Sequence, residues 1–227
     1  MDISLMELVK VVILGIVEGL TEWLPVSSTG HMILVDEFIR LDVSTAFMDM
    51  FLVVIQLGAI LAAKLNPFLK SKSEAERRET LDLWGKVIVA CLPAAVIGLA
   101  FNKYMEEHFM NAPVVAAMLI LYGVLFIVVE RFNKRRTPRV ESLAKLDYRT
   151  AFIIGMFQVL SLVPGTSRSG ATILGGIAVG LSRAVAAEFT FFLAVPVMFG
   201  ASLLKIAKHG LSFSGHELAV MASGMLV

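Results

Sequence analysis

Charge is scarce in this sequence. Only 17% of its 227 residues are Asp, Glu, Lys or Arg, where a soluble domain carries about a quarter. The net charge is +1, so no basic footprint for nucleic acid exists and no such partner is expected. Cysteine is nearly absent. Cys91 stands alone in an apolar run, which excludes an internal disulfide and any Cys/His zinc spacing. The N-terminus, Met1-Asp-Ile-Ser-Leu-Met-Glu, has neither the basic n-region nor the small-residue cleavage site of a signal peptide.

What fills the chain is apolar. The hydrophobic fraction is 57% and the mean hydropathy +0.81. The apolar residues fall in blocks long enough to cross ~30 Å of hydrocarbon. An integral membrane protein follows.

Residues 5–24 are apolar but carry Lys10, Glu18 and Glu22. Residues 30–41 are too short to cross, and Pro25 and Gly30 separate the two pieces. Two half-helices around a Pro/Gly tip predict a re-entrant hairpin, whose irregular backbone needs protein or a watery cavity around it. Full spans are expected at Phe47–Leu65, interrupted by Gln56, at Leu81–Phe101, at Ala112–Val129 and at Ala186–Ile206. Charged or polar loops are expected at Asn66–Thr80, Asn102–Asn111 and Arg131–Arg149. Residues 150–163 and 170–183 form a second pair of half-helices, and Glu217–Val227 begins another apolar segment. Six Lys/Arg in 64–86 and seven in 131–149, against Lys103 alone in 102–111, put the first two stretches in the cytoplasm and the third outside.

The halves resemble each other. Gly15-Ile-Val-Glu18-Gly-Leu-Thr-Glu22-Trp-Leu-Pro25 parallels Gly155-Met-Phe-Gln158-Val-Leu-Ser161-Leu-Val-Pro164, and each leads into a Ser/Thr-rich tip and an apolar segment. Three crossings lie between, so the hairpins enter from opposite faces. The fold class expected is an all-α polytopic membrane protein, an inverted-topology repeat with two re-entrant hairpins meeting near the bilayer midplane. Residues 1–227 make one transmembrane domain, with repeats at about 5–101 and 150–227.

Two polar islands carry the chemistry. The first runs from Glu18 to His31 and holds two carboxylates, three hydroxyls in Ser27, Ser28 and Thr29, and an imidazole, Thr21 aside. Glu18 and Glu22 are one turn apart on one helix face. Two intramembrane like charges call for a divalent cation or a proton between them. Ser27, Ser28 and Thr29 precede a half-helix whose N-terminus can bind an anion, or they cap it. Ser28 is the preferred nucleophile by its place at the tip, and His31 the rival nucleophile or base. The second island is Pro164-Gly-Thr-Ser167-Arg168-Ser169-Gly-Ala-Thr172. Arg168 offers a planar fork for phosphate, with Ser167, Ser169 and Thr172 assisting. Carboxylates, hydroxyls and an arginine are the parts of a phosphoryl-transfer site.

At these residues the chain resembles the undecaprenyl-diphosphate phosphatases of the bacitracin-resistance family. Glu18 and Glu22, followed by Leu-Pro-Val-Ser-Ser-Thr-Gly-His, match the first family motif, Glu/Gln-x-x-x-Glu; Pro164 through Thr172 match the second, Pro-Gly-x-Ser-Arg-Ser-x-x-Thr. The resemblance implies a multi-pass enzyme of the bacterial inner (cytoplasmic) membrane. It would remove the terminal phosphate of undecaprenyl diphosphate, recycling the carrier lipid of peptidoglycan synthesis. It further implies dependence on a divalent metal ion, Mg2+ or Ca2+, bound by Glu18 and Glu22, and a site open to the periplasm. The expected partners are the isoprenyl diphosphate lipid and the bilayer, with a homodimer also open. Family members usually continue for one or two further membrane segments, so the second repeat is expected to be cut short. The alternative reading is a secondary transporter or flippase of an isoprenyl phosphate lipid, because inverted repeats with broken helices also build transporters.

Overall fold

The computed structural model describes residues 3–36, 38–64, 73–134, 136–210 and 212–227. Among these the regular structure is helical, with one isolated bridge between Val140 and Leu181. The helices are α1 (Leu5–Trp23), α2 (Ser28–Asp36), α3 (Thr45–Lys64), α4 (Glu74–Phe109), α5 (Ala112–Asn133), α6 (Tyr148–Val159), α7 (Arg168–Ala178), α8 (Arg183–His209) and α9 (Gly215–Leu226).

Local chemistry sets the ends. Ser4, Asp147, Ser167, Ser182 and Ser214 each accept a backbone N–H in the first turn of the helix they open. Such caps satisfy donors that a helix start leaves free. Pro25 pushes Leu24 into extended backbone, and α1 stops there. α6 tightens into a 3-10 turn at Leu160–Leu162 before Pro164. Gly210, at φ +92°, closes α8.

Among the described residues three helical stretches are long and apolar enough to cross a membrane, Glu74–Phe101 in α4, Pro113–Asn133 in α5 and Arg183–His209 in α8, whereas the expected span Phe47–Leu65 is represented only by the shorter apolar stretch Thr45–Leu61 of α3. Apolar side chains cover the outside. On α1, Leu5, Val9, Ile13, Ile16, Leu20 and Trp23 form one exposed stripe. Such a surface belongs against acyl chains, not water.

Among the described residues two larger cores stand out, beside a small cluster of Tyr122, Ala171 and Leu174 where α5 meets α7. α1, α2, α3 and α9 enclose Leu14, Met32, Phe47 and Phe51. α4, α6, α7 and α8 enclose Ala90, Ile154, Ile177 and Phe189. Packing of α3 on α8 joins them, through Leu57, Ile60, Ala194 and Met198. Lipid tails are as apolar as leucine, so close van der Waals approach holds such helices together. Gly155 shows how close: a Cβ there would fall 2.2 Å from the Ala90 carbonyl oxygen of α4.

Three loop expectations are corrected. Asn102–Asn111 is not a loop, because α4 runs on to Phe109 and Asn111 caps α5 directly. A helix can continue past the hydrocarbon when its side chains turn polar. The i,i+4 pair Lys103–Glu107 (3.8 Å) accompanies that continuation. In Asn66–Thr80, residues 66–72 lie outside the described residues, and from Glu74 onward the chain is helical. The basic stretch Arg131–Arg149 is likewise shorter as a loop, since α5 holds its start and α6 its end.

Candidate functional site

The two tips meet. Residues 24–27 turn α1 into α2, and residues 163–167 turn α6 into α7. Ser27 adopts φ +66°, the one positive φ outside glycine among the described residues. A non-glycine residue there is held by its surroundings at a cost. Its Oγ accepts the Gly30 N–H (3.3 Å), and its carbonyl accepts from His31 Nδ1 (2.8 Å). On the other tip Gly165 takes φ +86° and lies so close to α5 that a Cβ would fall 2.6 Å from Val115 Cα. Ser167 caps α7 by accepting the Gly170 N–H at 3.0 Å.

Between the tips is a cavity of about 210 Å3, lined by Glu22, Ser27, Ser28, Thr29, Ser161, Thr166, Ser167, Arg168 and Ser169, with Gln56, Val197 and Met198 closing it. Arg168 Nη2 donates to Glu22 Oε1 at 2.5 Å. Ser28 Oγ donates to Glu22 Oε2 at 2.7 Å. Gln56 Nε2 donates to Ser28 Oγ and Thr29 Oγ1, each at 3.1 Å. Ser28 and Arg168 are the first residues of α2 and α7, so two helix N-termini with their partial positive charge meet here.

Buried atoms without partners occur at this cavity and away from its wall, both amide atoms of Gln158 in α6 among them. Arg168 Nη1 is buried with no hydrogen-bond partner, and so are both carboxylate oxygens of Glu18. Glu18 is only 1% exposed. Its nearest donors are spent elsewhere, Ser28 on Glu22 and Gln56 on the two hydroxyls. A buried polar group without a partner calls for an explanation, such as a catalytic role, a bound water or an ion. For a divalent metal the donor chemistry fits: carboxylate, amide and hydroxyl oxygens are the hard ligands Mg2+ and Ca2+ take. Glu18 has the coordination capacity to spare, whereas Glu22 already serves Arg168 and Ser28. Among the described residues no group of three His, Cys, Asp or Glu could hold a metal. An ion here would need phosphate oxygens or water as further ligands, the usual habit of Mg2+.

Other expected site residues fall just outside the cavity. Glu18 lines a separate cavity beside Gly19, Trp23 and α9. His31 is not among the lining residues and faces the Ser27 carbonyl. Thr172 sits beneath, bonded to the carbonyls of Arg168 (3.0 Å) and Ser169 (3.2 Å), and accepts from Thr190 at 2.9 Å. Gln56, Ser161 and Thr166 are polar lining residues that sequence reasoning passed over as site residues, and Gln56 is the one outside both expected hairpins. Its signal was a lone amide in an apolar span.

The apolar helices and the polar cavity between two capped tips define an integral membrane protein with a buried polar site. Comparison with known proteins agrees. The chain belongs to the family described as bacitracin resistance protein BacA, whose profile matches residues 11–227. Among curated relatives, the undecaprenyl-diphosphatase of Desulfitobacterium hafniense is 57% identical, over 99% of this chain and 83% of that protein. That of Enterococcus faecalis is 56% identical, over 100% and 85%. That of Streptococcus mutans is 57% identical, over 97% and 82%.

Proposed function

We propose that the chain is an undecaprenyl-diphosphate phosphatase: it hydrolyses undecaprenyl diphosphate to undecaprenyl phosphate and inorganic phosphate. The observation that carries this is Arg168, a residue on the wall of the polar cavity that is tied to Glu22 through Nη2 and keeps a buried, unpaired Nη1. The names of the relatives support the same activity.

In this reading the terminal phosphate enters between the tips. Arg168 holds its non-bridging oxygens through Nη1, with the hydroxyls of Ser167, Ser169 and Thr29 and the N-termini of α2 and α7 adding donors. Thr172 acts from below, fixing the turn that carries Arg168. Ser28 Oγ attacks phosphorus while Glu22 Oε2 takes its proton. The bridging P–O bond breaks, and Glu22 gives the proton to the departing undecaprenyl phosphate. A phosphoserine is left. Water then attacks it, Glu22 takes the water's proton and returns it to Ser28, and inorganic phosphate departs. Between Ser28 and His31 as nucleophile, the bond to Glu22 favours Ser28. His31 holds the Ser27 carbonyl and so the left-handed turn that presents Ser28. Of the two carboxylates expected to hold the divalent ion, Glu18 has both oxygens free and would be its ligand, while Glu22 is taken up by Arg168 and Ser28; the ion supplies positive charge to the phosphate when bound.

The finer architecture belongs to the same proposal. The helix pairs α1–α2 and α6–α7 are the re-entrant hairpins of an inverted repeat. Ser27 and Ser167 support this, since they cap equivalent helices in the same way, on Gly30 and Gly170. The lysine and arginine pattern supports a bacterial inner-membrane orientation with the cavity reached from the periplasm.

Phosphate release by the purified protein in detergent tests the reading. One inorganic phosphate per undecaprenyl diphosphate is expected. Transport of the lipid in vesicles without any release would establish the transporter instead.

A further inference from the structure

A second cavity adjoins the polar one. It measures about 300 Å3 and is walled by Leu119, Tyr122, Gly123 and Phe126 of α5 and by Pro25, Val26 and Gly165 of the tips. Ser27 and Ser167 line both cavities, so the two capping serines form the partition between a polar chamber and an apolar one. The cavity beside Glu18 is also apolar, but it shares no lining residue with the polar chamber.

A lipid diphosphate changes from anion to hydrocarbon across a single C–O bond. Its site must change character just as abruptly, and the Ser27–Ser167 partition is where this molecule does so. We propose that the chamber on α5 takes the first isoprene units of the lipid diphosphate and aligns its anhydride with Ser28. This rests on the reading of the polar cavity as the diphosphate site. At about 300 Å3 the chamber lies at the low end of ligand pockets, so it holds one end of a long chain and not the whole. Tyr122 and Phe126 are one helical turn apart and give that end flat apolar walls. The remainder of the chain leaves past α5, whose outer face exposes Ile120, Val124 and Ile127 to lipid.

Gly123 keeps the chamber open. A Cβ built there meets no atom within 4 Å, so its lack of a side chain serves no close helix contact. Glycine is also a poor residue for a helix interior. The empty volume in front of it is what a ligand would use.

The test is cysteine protection. Gly123→Cys and Gly19→Cys are made separately in a Cys91→Ala background, and their labelling by a small apolar maleimide is timed in detergent. Gly19 serves as the comparison because it lines the cavity beside Glu18 and also has open space in front of it. The protecting ligand is a non-hydrolysable undecaprenyl diphosphate analogue with a methylene bridge. At ten times its Kd it should slow labelling of the Gly123→Cys protein by about tenfold. Inorganic pyrophosphate, which fills only the polar chamber, should leave the rate unchanged. Protection by neither ligand, by both equally, or at Gly19→Cys instead of Gly123→Cys would overturn the assignment. Labelling needs no turnover. Absence of hydrolysis by the wild-type protein would therefore count against the phosphatase and leave this result readable.

Discussion

Arg168 Nη2 lies 2.5 Å from Glu22 Oε1, although 146 residues separate the two in the chain. Both side chains are largely buried, at 15% and 9% exposure. Each neutralises the other where hydrocarbon would otherwise make a lone charge expensive. The pair also locks the two tips into one chamber.

Arg168→Lys keeps the charge but loses the fork. One nitrogen cannot hold Glu22 and a phosphate oxygen in the same geometry. By analogy with loss of one preorganised oxyanion donor, kcat should fall about a hundredfold to a thousandfold. KM should move little, because the lipid chain still supplies binding. Steady-state kinetics in detergent with saturating Mg2+ checks this. An enzyme within threefold of wild type would remove Arg168 from the phosphate site.

Glu18→Gln and Glu22→Gln should behave differently. Glu18 has no hydrogen-bond partner and Glu22 has two. Replacing Glu18 removes a buried uncompensated carboxylate, so the thermal midpoint without metal should hold or rise. The stimulation of turnover by added Mg2+ should disappear. Replacing Glu22 leaves Arg168 without its counter-charge, so both stability and activity should drop. A Glu18→Gln protein still stimulated by metal would refute its role as a ligand.

Ser27 sits at φ +66°, so its tolerance should follow backbone preference and not polarity alone. Ser27→Gly relieves the strain and loses only the cap on Gly30, a matter of a few tenths of a kcal/mol. Ser27→Val adds a branched side chain in the left-handed region, at about 1–3 kcal/mol. Thermal melts should rank glycine at or above wild type and valine well below. The reverse order would mean that the turn is not held as described.

Gly155→Ala tests the α4–α6 crossing. The new methyl would fall 2.2 Å from the Ala90 carbonyl oxygen, so the helices must part. Overpacking of this kind typically costs about 1–3 kcal/mol. A melt unchanged from wild type would show that the two helices are not in that contact.

Much of this could be read from the sequence because the signals are local. The Pro/Gly tips and the apolar block lengths gave α1, α3, α5, α6 and α8 close to their observed bounds, whereas α2 and α7 begin two residues before and end five residues short of the expected 30–41 and 170–183. Ser27, Ser28 and Arg168 could be singled out because hydroxyls and a cation stand out in apolar sequence. Polarity misled at Asn102–Phe109, since it marks the edge of the hydrocarbon and not the end of a helix. Gln56 reaches Ser28 from 28 residues away, a tertiary contact that no local pattern encodes. The placing of Glu18, His31 and Thr172 beside the cavity instead of on its wall depends on side-chain directions, which spacing alone leaves open.

A double-mutant cycle on phosphate release tests most directly whether the two tips form one phosphate-cleaving site. Glu22→Gln, Arg168→Lys and the double variant are compared with wild type on undecaprenyl diphosphate, at equal folded protein. Residues that act as one unit are strongly non-additive. The double variant should therefore lose little more kcat than the worse single one. Losses that multiply, with each substitution costing the same in either background, would mean that Glu22 and Arg168 work in separate places and would contradict the shared site.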